Sequence, residues 1–132
     1  MIYLDSSAIA KLWREEPEST ALRDWWYGGG EPAISSRLAH VEVLRVLRRD
    51  AAPDEVQAAA GRVLASVATM PVDAALARAA TVDPRTVRSL DAIHLAAALS
   101  LGRALTSLCT YDERMAAAAR AHAIDVLAPG RS

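Results

Sequence analysis

The sequence predicts one α/β domain built on a mainly parallel sheet of about five strands, and three features carry that expectation. Short apolar runs of β character alternate with longer stretches of helical periodicity, the pattern of a chain crossing over between parallel strands. Two of the short runs lead into acids, Asp5 and Asp112, at the edge where open parallel sheets bind ligands. A length of 132 residues supports one sizeable core but not two, so residues 1–132 read as a single domain.

The first strand is the run 2–4, Ile-Tyr-Leu, which stops at Asp5. Helical stretches follow at 7–13 and 19–27. Gly28, Gly29 and Gly30 precede the next strand, at 33–35, instead of following one, so they form a flexible connection and not a phosphate cradle. In the helix expected over 38–49, Ala39, Val43, Val46 and Leu47 form the apolar stripe; Glu42 falls at its border, and Arg45, Arg48 and Arg49 point away. Pro53 with Asp54 and Glu55 behind it opens a helix over 53–67, since proline fits the first turn and acids favour its positive end. A strand at 70–72 and a helix at 74–80 come next. The stretch 90–101 is apolar on nearly every side, the mark of a buried helix, with Ser89 placed to cap it. A strand at 104–108 leads to Thr-Tyr-Asp-Glu at 110–113, which has the spacing of a capping box ahead of a helix at 112–122. A last strand covers 124–127.

Composition excludes several classes of function. The formal net charge is −1, so no global field draws the chain to nucleic acid or an anionic membrane, and any such contact must be local. Cys109 is the only cysteine, which rules out an internal disulfide and a thiolate metal site; it reads as a small buried thiol in a reducing cytoplasm. No segment has the pattern of a secretory leader or the length of a bilayer span.

Each of four acids has an ordinary explanation. Asp5 stands where it can cap the following helix. Asp91 is a first-turn acid of the apolar helix; His94, three residues on, shares its face and reads as a hydrogen-bonded core residue. Glu42 is placed for a surface pair with Arg45, and Asp112 falls inside the capping box. The combination is harder to explain away, because a parallel α/β fold can bring all four to one carboxyl edge. Clustered carboxylates repel one another, and some must then take up protons at neutral pH. A hard divalent cation removes the conflict, and a donor set made only of oxygen suits Mg²⁺ or Mn²⁺.

With their surroundings, these positions resemble the PIN-domain ribonucleases, in particular the VapC-type toxins of prokaryotic toxin–antitoxin pairs. YLDSSAIAKL is similar to the family's first motif, with Asp5 and the hydroxyls of Ser6 and Ser7. SSRLAHVEVLRVLRR matches the second, with Glu42; SLDAIHLAAAL the third, with Asp91; and LTSLCTYDERMAAAA the fourth, with Thr110 and Asp112. The resemblance implies a three-layer α/β/α domain that cleaves RNA endonucleolytically with a divalent metal. It also implies a VapB-type antitoxin that blocks the site, and homodimers. In such a site Asp5 and Asp91 are the leading direct metal ligands, Glu42 and Asp112 complete the pocket, and Ser6, Ser7 or Thr110 orients water or a ligand. An additional acid near the fourth motif occurs in some members; Glu113 is available here, although capping is the role its spacing favours.

Arg45, Arg48 and Arg49, with Arg85 and Arg88 before Asp91, can neutralise RNA phosphates, the alternative being a solvated helix face. Trp13, Trp25, Trp26 and Tyr27 fit core or interface packing better than base stacking. A phosphoacceptor receiver is the rival from a signalling class, but it wants an acid pair at the first strand's end and a lysine on the last. Here Asp5 is followed by serines, and Lys11 is the only lysine. A non-catalytic binding module that keeps the fold is the third possibility.

Overall fold

The computed structural model describes residues 1–131. Among them are five strands, β1 (Ile2–Leu4), β2 (Ala33–Ser36), β3 (Ala68–Met70), β4 (Ser107–Cys109) and β5 (Asp125–Leu127). Seven α-helices accompany them: α1 (Ser6–Trp13), α2 (Ser19–Tyr27), α3 (Leu38–Arg49), α4 (Asp54–Ser66), α5 (Asp73–Ala79), α6 (Ser89–Ser100) and α7 (Glu113–Ala121). The sheet runs β3-β2-β1-β4-β5 and every pairing is parallel. The chain therefore builds outward on one side of β1, then returns to build outward on the other. The switch falls between β1 and β4, whose carboxyl ends form the crevice where doubly wound sheets take ligands.

Alternation along β1 sorts the core into two layers. Ile2 and Leu4 join Ala8, Ile9, Leu12, Leu22, Val43 and Leu64 on the α1–α4 side. Tyr3 joins Leu95, Ala96, Leu108, Met115 and Ile124 on the α5–α7 side. With helices on both faces, the strand shows an uninterrupted apolar run, which is why the short segment was readable. The buried alanines Ala96, Ala97 and Ala98 give α6 a narrow face against the sheet. The arrangement is the expected three-layer α/β/α fold.

Several boundaries differ from expectation. The third strand ends at Met70 and does not extend over 70–72, because Pro71 has no N–H to continue the ladder. The fourth strand is Ser107–Cys109, not 104–108; Gly102, with φ +54, starts a 3₁₀ turn over Gly102–Ala104 that uses up the predicted start. Ser89 makes no capping hydrogen bond, and Arg88 stands at the N-cap of α6. The capping box also fails. Asp112 itself is the N-cap of α7, accepting from the N–H groups of Arg114 and Met115, while Glu113 turns out to solvent and pairs with Arg131. Trp13, Trp25 and Trp26 pack against the core, whereas Tyr27 is exposed. Cys109 is buried, and its thiol is pushed up to about 12 by that burial.

Candidate active site

Asp5 follows β1 directly and begins α1, so its side chain lies at the switch point with only 3% of the residue exposed. Three donors hold it: Ser7 Oγ at 2.7 Å and the Ala8 N–H at 3.0 Å on Oδ1, and Thr110 Oγ1 at 2.5 Å on Oδ2. The capping role read from the sequence is therefore real, and it does not exhaust the residue. A carboxylate offers about four lone-pair sites, and one on Oδ2 stays open. Burial pushes the Asp5 carboxyl up despite these hydrogen bonds.

The loop after β4 is stitched to the same point. The Tyr111 N–H donates to Ser7 Oγ at 2.9 Å, and the Asp112 N–H donates to Thr110 Oγ1 at 3.1 Å. Thr110 therefore accepts from one acid's backbone while donating to another acid's side chain. Asp112 spends Oδ1 on its capping bonds, which leaves Oδ2 free.

Glu42 is not paired with Arg45. Its side chain turns inward, and Oε2 accepts from Ser6 Oγ at 3.0 Å while Oε1 lies 2.5 Å from His94 Nε2. The surface-pair reading fails because the border of the α3 stripe faces the rim of the sheet, where α6 supplies a better partner than solvent does. Ser6 thus serves Glu42, and it is Ser7, with Thr110, that serves Asp5.

Asp91, on the first turn of α6, is half-buried. Its carboxyl is pushed up, first by burial and then by the negative charges of Asp112 and Asp5, with a smaller push from Glu42 and an opposing pull from His94. The four predicted acids therefore share one neighbourhood. Among the described residues, no lysine or arginine forms an ion pair with any of them. No group of three or more His, Cys, Asp or Glu side chains among those residues closes tightly enough to hold an ion unaided. That is compatible with Mg²⁺, which keeps several waters and binds through one or two carboxylates plus substrate phosphate. All of the open donors are hard oxygens, as the ion prefers.

Arg45, Arg48 and Arg49 are exposed along α3, and Arg49 contacts Asp50 at 3.0 Å. Arg88 and Arg114 line a small cleft together with Asp91. Sequence reasoning left His94 as a core residue, and it is one, fully buried; what was missed is that its partner is Glu42, 52 residues away. The only signal was the shared helix face with Asp91.

An acid-edged, doubly wound α/β/α domain is the class that fold and site define. The PIN domain family matches residues 2–121, and the chain belongs to that family. Its similarity to curated relatives from Mycobacterium tuberculosis runs end to end. Ribonuclease VapC47 is 41% identical over 98% of each chain, and Ribonuclease VapC46 is 46% identical over 97% of each. Ribonuclease VapC35 is 43% identical, over 100% of this chain and 99% of its own. Among solved structures, Mycobacterium tuberculosis VapC20, a sarcin–ricin loop cleaving toxin, has the same fold. It aligns with a TM-score of 0.71 at 20% identity, over 89% of this chain and 95% of that one.

Proposed function

We propose that this chain is an endoribonuclease that hydrolyses RNA phosphodiester bonds with Mg²⁺ or Mn²⁺, and that it is the toxin of a VapBC-type pair. The observation that carries the reading is the surplus of negative charge around Asp91, whose carboxyl is raised by burial and then by Asp112, Asp5 and Glu42, while among the described residues no lysine or arginine forms an ion pair with any of the four acids. Relatives named ribonuclease VapC along the whole chain support RNA as the substrate.

A bound divalent ion would supply the positive charge that draws in an anionic phosphate and the Lewis acidity that activates water. Asp5 and Asp91 would hold it through their open oxygens, and Glu42 and Asp112 would complete the pocket directly or through water. Thr110 and Ser7 fix Asp5, and Ser6 fixes Glu42, so that these carboxylates need little reorganisation when the ion arrives. The exposed Arg45, Arg48 and Arg49, with Arg88 beside Asp91, hold RNA phosphates away from the acids. No histidine is required as general base. A VapB-type antitoxin occludes the site, the working form is a homodimer, and the chain acts in the cytoplasm. No helix among the described residues is long and apolar enough to cross a membrane.

Asp91→Asn tests the assignment with little risk to the fold, since the side chain is half-buried. Cleavage of a structured RNA in Mn²⁺ is expected to fall at least about 100-fold with an unchanged circular dichroism spectrum, the scale of losing a group that stabilises the transition state. Chelation of divalent ions should silence the wild type equally. Cleavage that survives both treatments overturns the reading.

A further inference from the structure

The Glu42 carboxylate sits at the end of a flexible side chain on α3, and among the described residues only Ser6 and His94 bond it. His94 is fully buried on α6, and its other ring nitrogen, Nδ1, lies 2.7 Å from the hydroxyl of Tyr3. We infer that His94 is a positioning residue for Glu42, its tautomer selected by that carboxylate and its ring held in place by Tyr3, so that one hydrogen-bonded chain running β1–α6–α3 sets the orientation of the Glu42 carboxylate.

The proton positions follow from what each group can do. An ionised carboxylate only accepts, so the bond to Glu42 requires the proton on Nε2. A phenol titrates at about 10, so Tyr3 keeps its proton at neutral pH and can donate it. A neutral imidazole protonated at Nε2 has one acceptor, Nδ1, and that atom faces the phenol. Tyr3 O–H therefore donates to Nδ1, and Nε2–H donates to Glu42 Oε1.

The clamp is rigid because its far end is in the middle of the sheet. Tyr3 pairs in register with Ile34 on one side and Leu108 on the other, and is fully buried. Its ring meets the imidazole edge-on, with centroids 5.8 Å apart and planes at 71°. Placement gives the chain a second use. Tyr3 is two residues before Asp5, and His94 is three after Asp91. The relay thus ties the acid at the β1 end, the acid on α6 and the acid on α3 into one frame. Partners that orient a metal-binding group in this way typically change metal affinity about 10- to 100-fold. The consequence for metal rests on the function proposed above; the tautomer does not.

Nitrogen NMR of metal-free wild-type protein at neutral pH reads the tautomer directly. His94, assigned by its loss in His94→Gln, is expected to be protonated at Nε2 and bare at Nδ1. Manganese affinity by calorimetry reads the positioning. His94→Asn can reach only the Tyr3 side and should weaken Mn²⁺ binding about 10-fold or more. His94→Gln places an amide N–H near the position of Nε2–H and should recover most of that loss. Tyr3→Phe keeps the ring, and Glu42 still selects the Nε2 proton, but the hydrogen bond that holds the imidazole in place is lost, so a smaller drop in affinity is expected. At saturating Mn²⁺ the same variants should lower kcat on RNA more than they raise KM. A His94 protonated at Nδ1 or at both nitrogens, or Mn²⁺ affinity unchanged in both His94→Asn and Tyr3→Phe, overturns the inference. If His94→Asn fails to fold, the wild-type spectrum and Tyr3→Phe decide. A wild type that binds no Mn²⁺ defeats the proposed function, and the spectrum still decides the relay.

Discussion

Two groups of charge meet around α1, and they are built on opposite rules. At its C-terminal end Lys11, with only 5% of the residue exposed, reaches Glu16 and Glu18 at 2.7 Å each and lies 4.8 Å from the Tyr111 ring centroid. Arg131 extends the set, bonding Glu18 at 2.9 Å, Glu113 at 3.0 Å and the Tyr111 carbonyl at 2.8 Å. Each acid there has a cation, and hydrogen bonds from Lys11 and Arg131 hold the Glu18 carboxyl well below its ordinary value. At the N-terminal end of the same helix, Asp5 has two hydroxyls and an amide for partners and, among the described residues, no ion pair, and its carboxyl moves the other way. The first group is complete as folded. The second carries negative charge that costs stability in the isolated protein, the kind of strain tolerated where a ligand relieves it.

The largest effect on stability should come from breaking the complete group. Lys11→Met leaves Glu16 without its cation and Glu18 with Arg131 alone. Removal of one partner from a buried pair costs about 3–5 kcal/mol, and because Glu16 is one-third exposed we expect roughly 2–3 kcal/mol here, read by urea denaturation. RNA cleavage per folded molecule should be unchanged. A variant as stable as wild type would erase the distinction between the two groups.

The pH dependence should separate them by sign. Asp5 and Asp91 have raised native pKa values, so the native state retains protons that the unfolded chain has released. Metal-free stability therefore falls as pH climbs from the ordinary carboxylate value of 3.8, and the loss persists above the native values. Asp5→Asn removes that penalty, so relative to wild type it should gain stability, on the order of 1 kcal/mol at neutral pH, and the gain should vanish in acid. Glu18 is the opposite case. Its stabilisation is present above 4.5 and is lost as pH falls toward the depressed value, so Glu18→Gln should be destabilised at neutral pH and converge on wild type in acid. Saturating Mn²⁺ should reverse the advantage of Asp5→Asn and leave Glu18→Gln where it was. Parallel pH curves for the two variants would show that their environments do not differ as described.

The contrast also explains which parts were legible in sequence. The strand before Asp5 was readable because both faces of β1 are covered, so its residues are apolar without interruption. The acids were readable because two of them follow strands that end at one edge. The capping box was misread because Asp112 and not Thr110 accepts the first-turn N–H groups of α7, while the Thr110 hydroxyl donates to Asp5, a residue 105 positions away that no local spacing reveals. Glu42 was misplaced for the same reason, since its link to His94 joins two helices through residues 52 positions apart. Lys11 drew notice only for being the sole lysine. Its burial depends on the chain reversing after α1, so that Glu16 and Glu18 return to it, and helical periodicity does not report that reversal.

The smallest effect should come from charge pairs outside both groups, and it calibrates the others. Arg14 meets Asp50 at 3.0 Å with both side chains more than a third exposed, and Asp50 keeps a second partner in Arg49 at 3.0 Å. Solvent screens such a pair and side-chain entropy offsets it. Arg14→Ala should therefore leave the denaturation midpoint close to wild type and cleavage untouched. A loss rivalling that of Lys11→Met would mean that exposure does not set the worth of a charge in this molecule, and the sign difference between Asp5 and Glu18 would then need a cause other than burial and the cations around it.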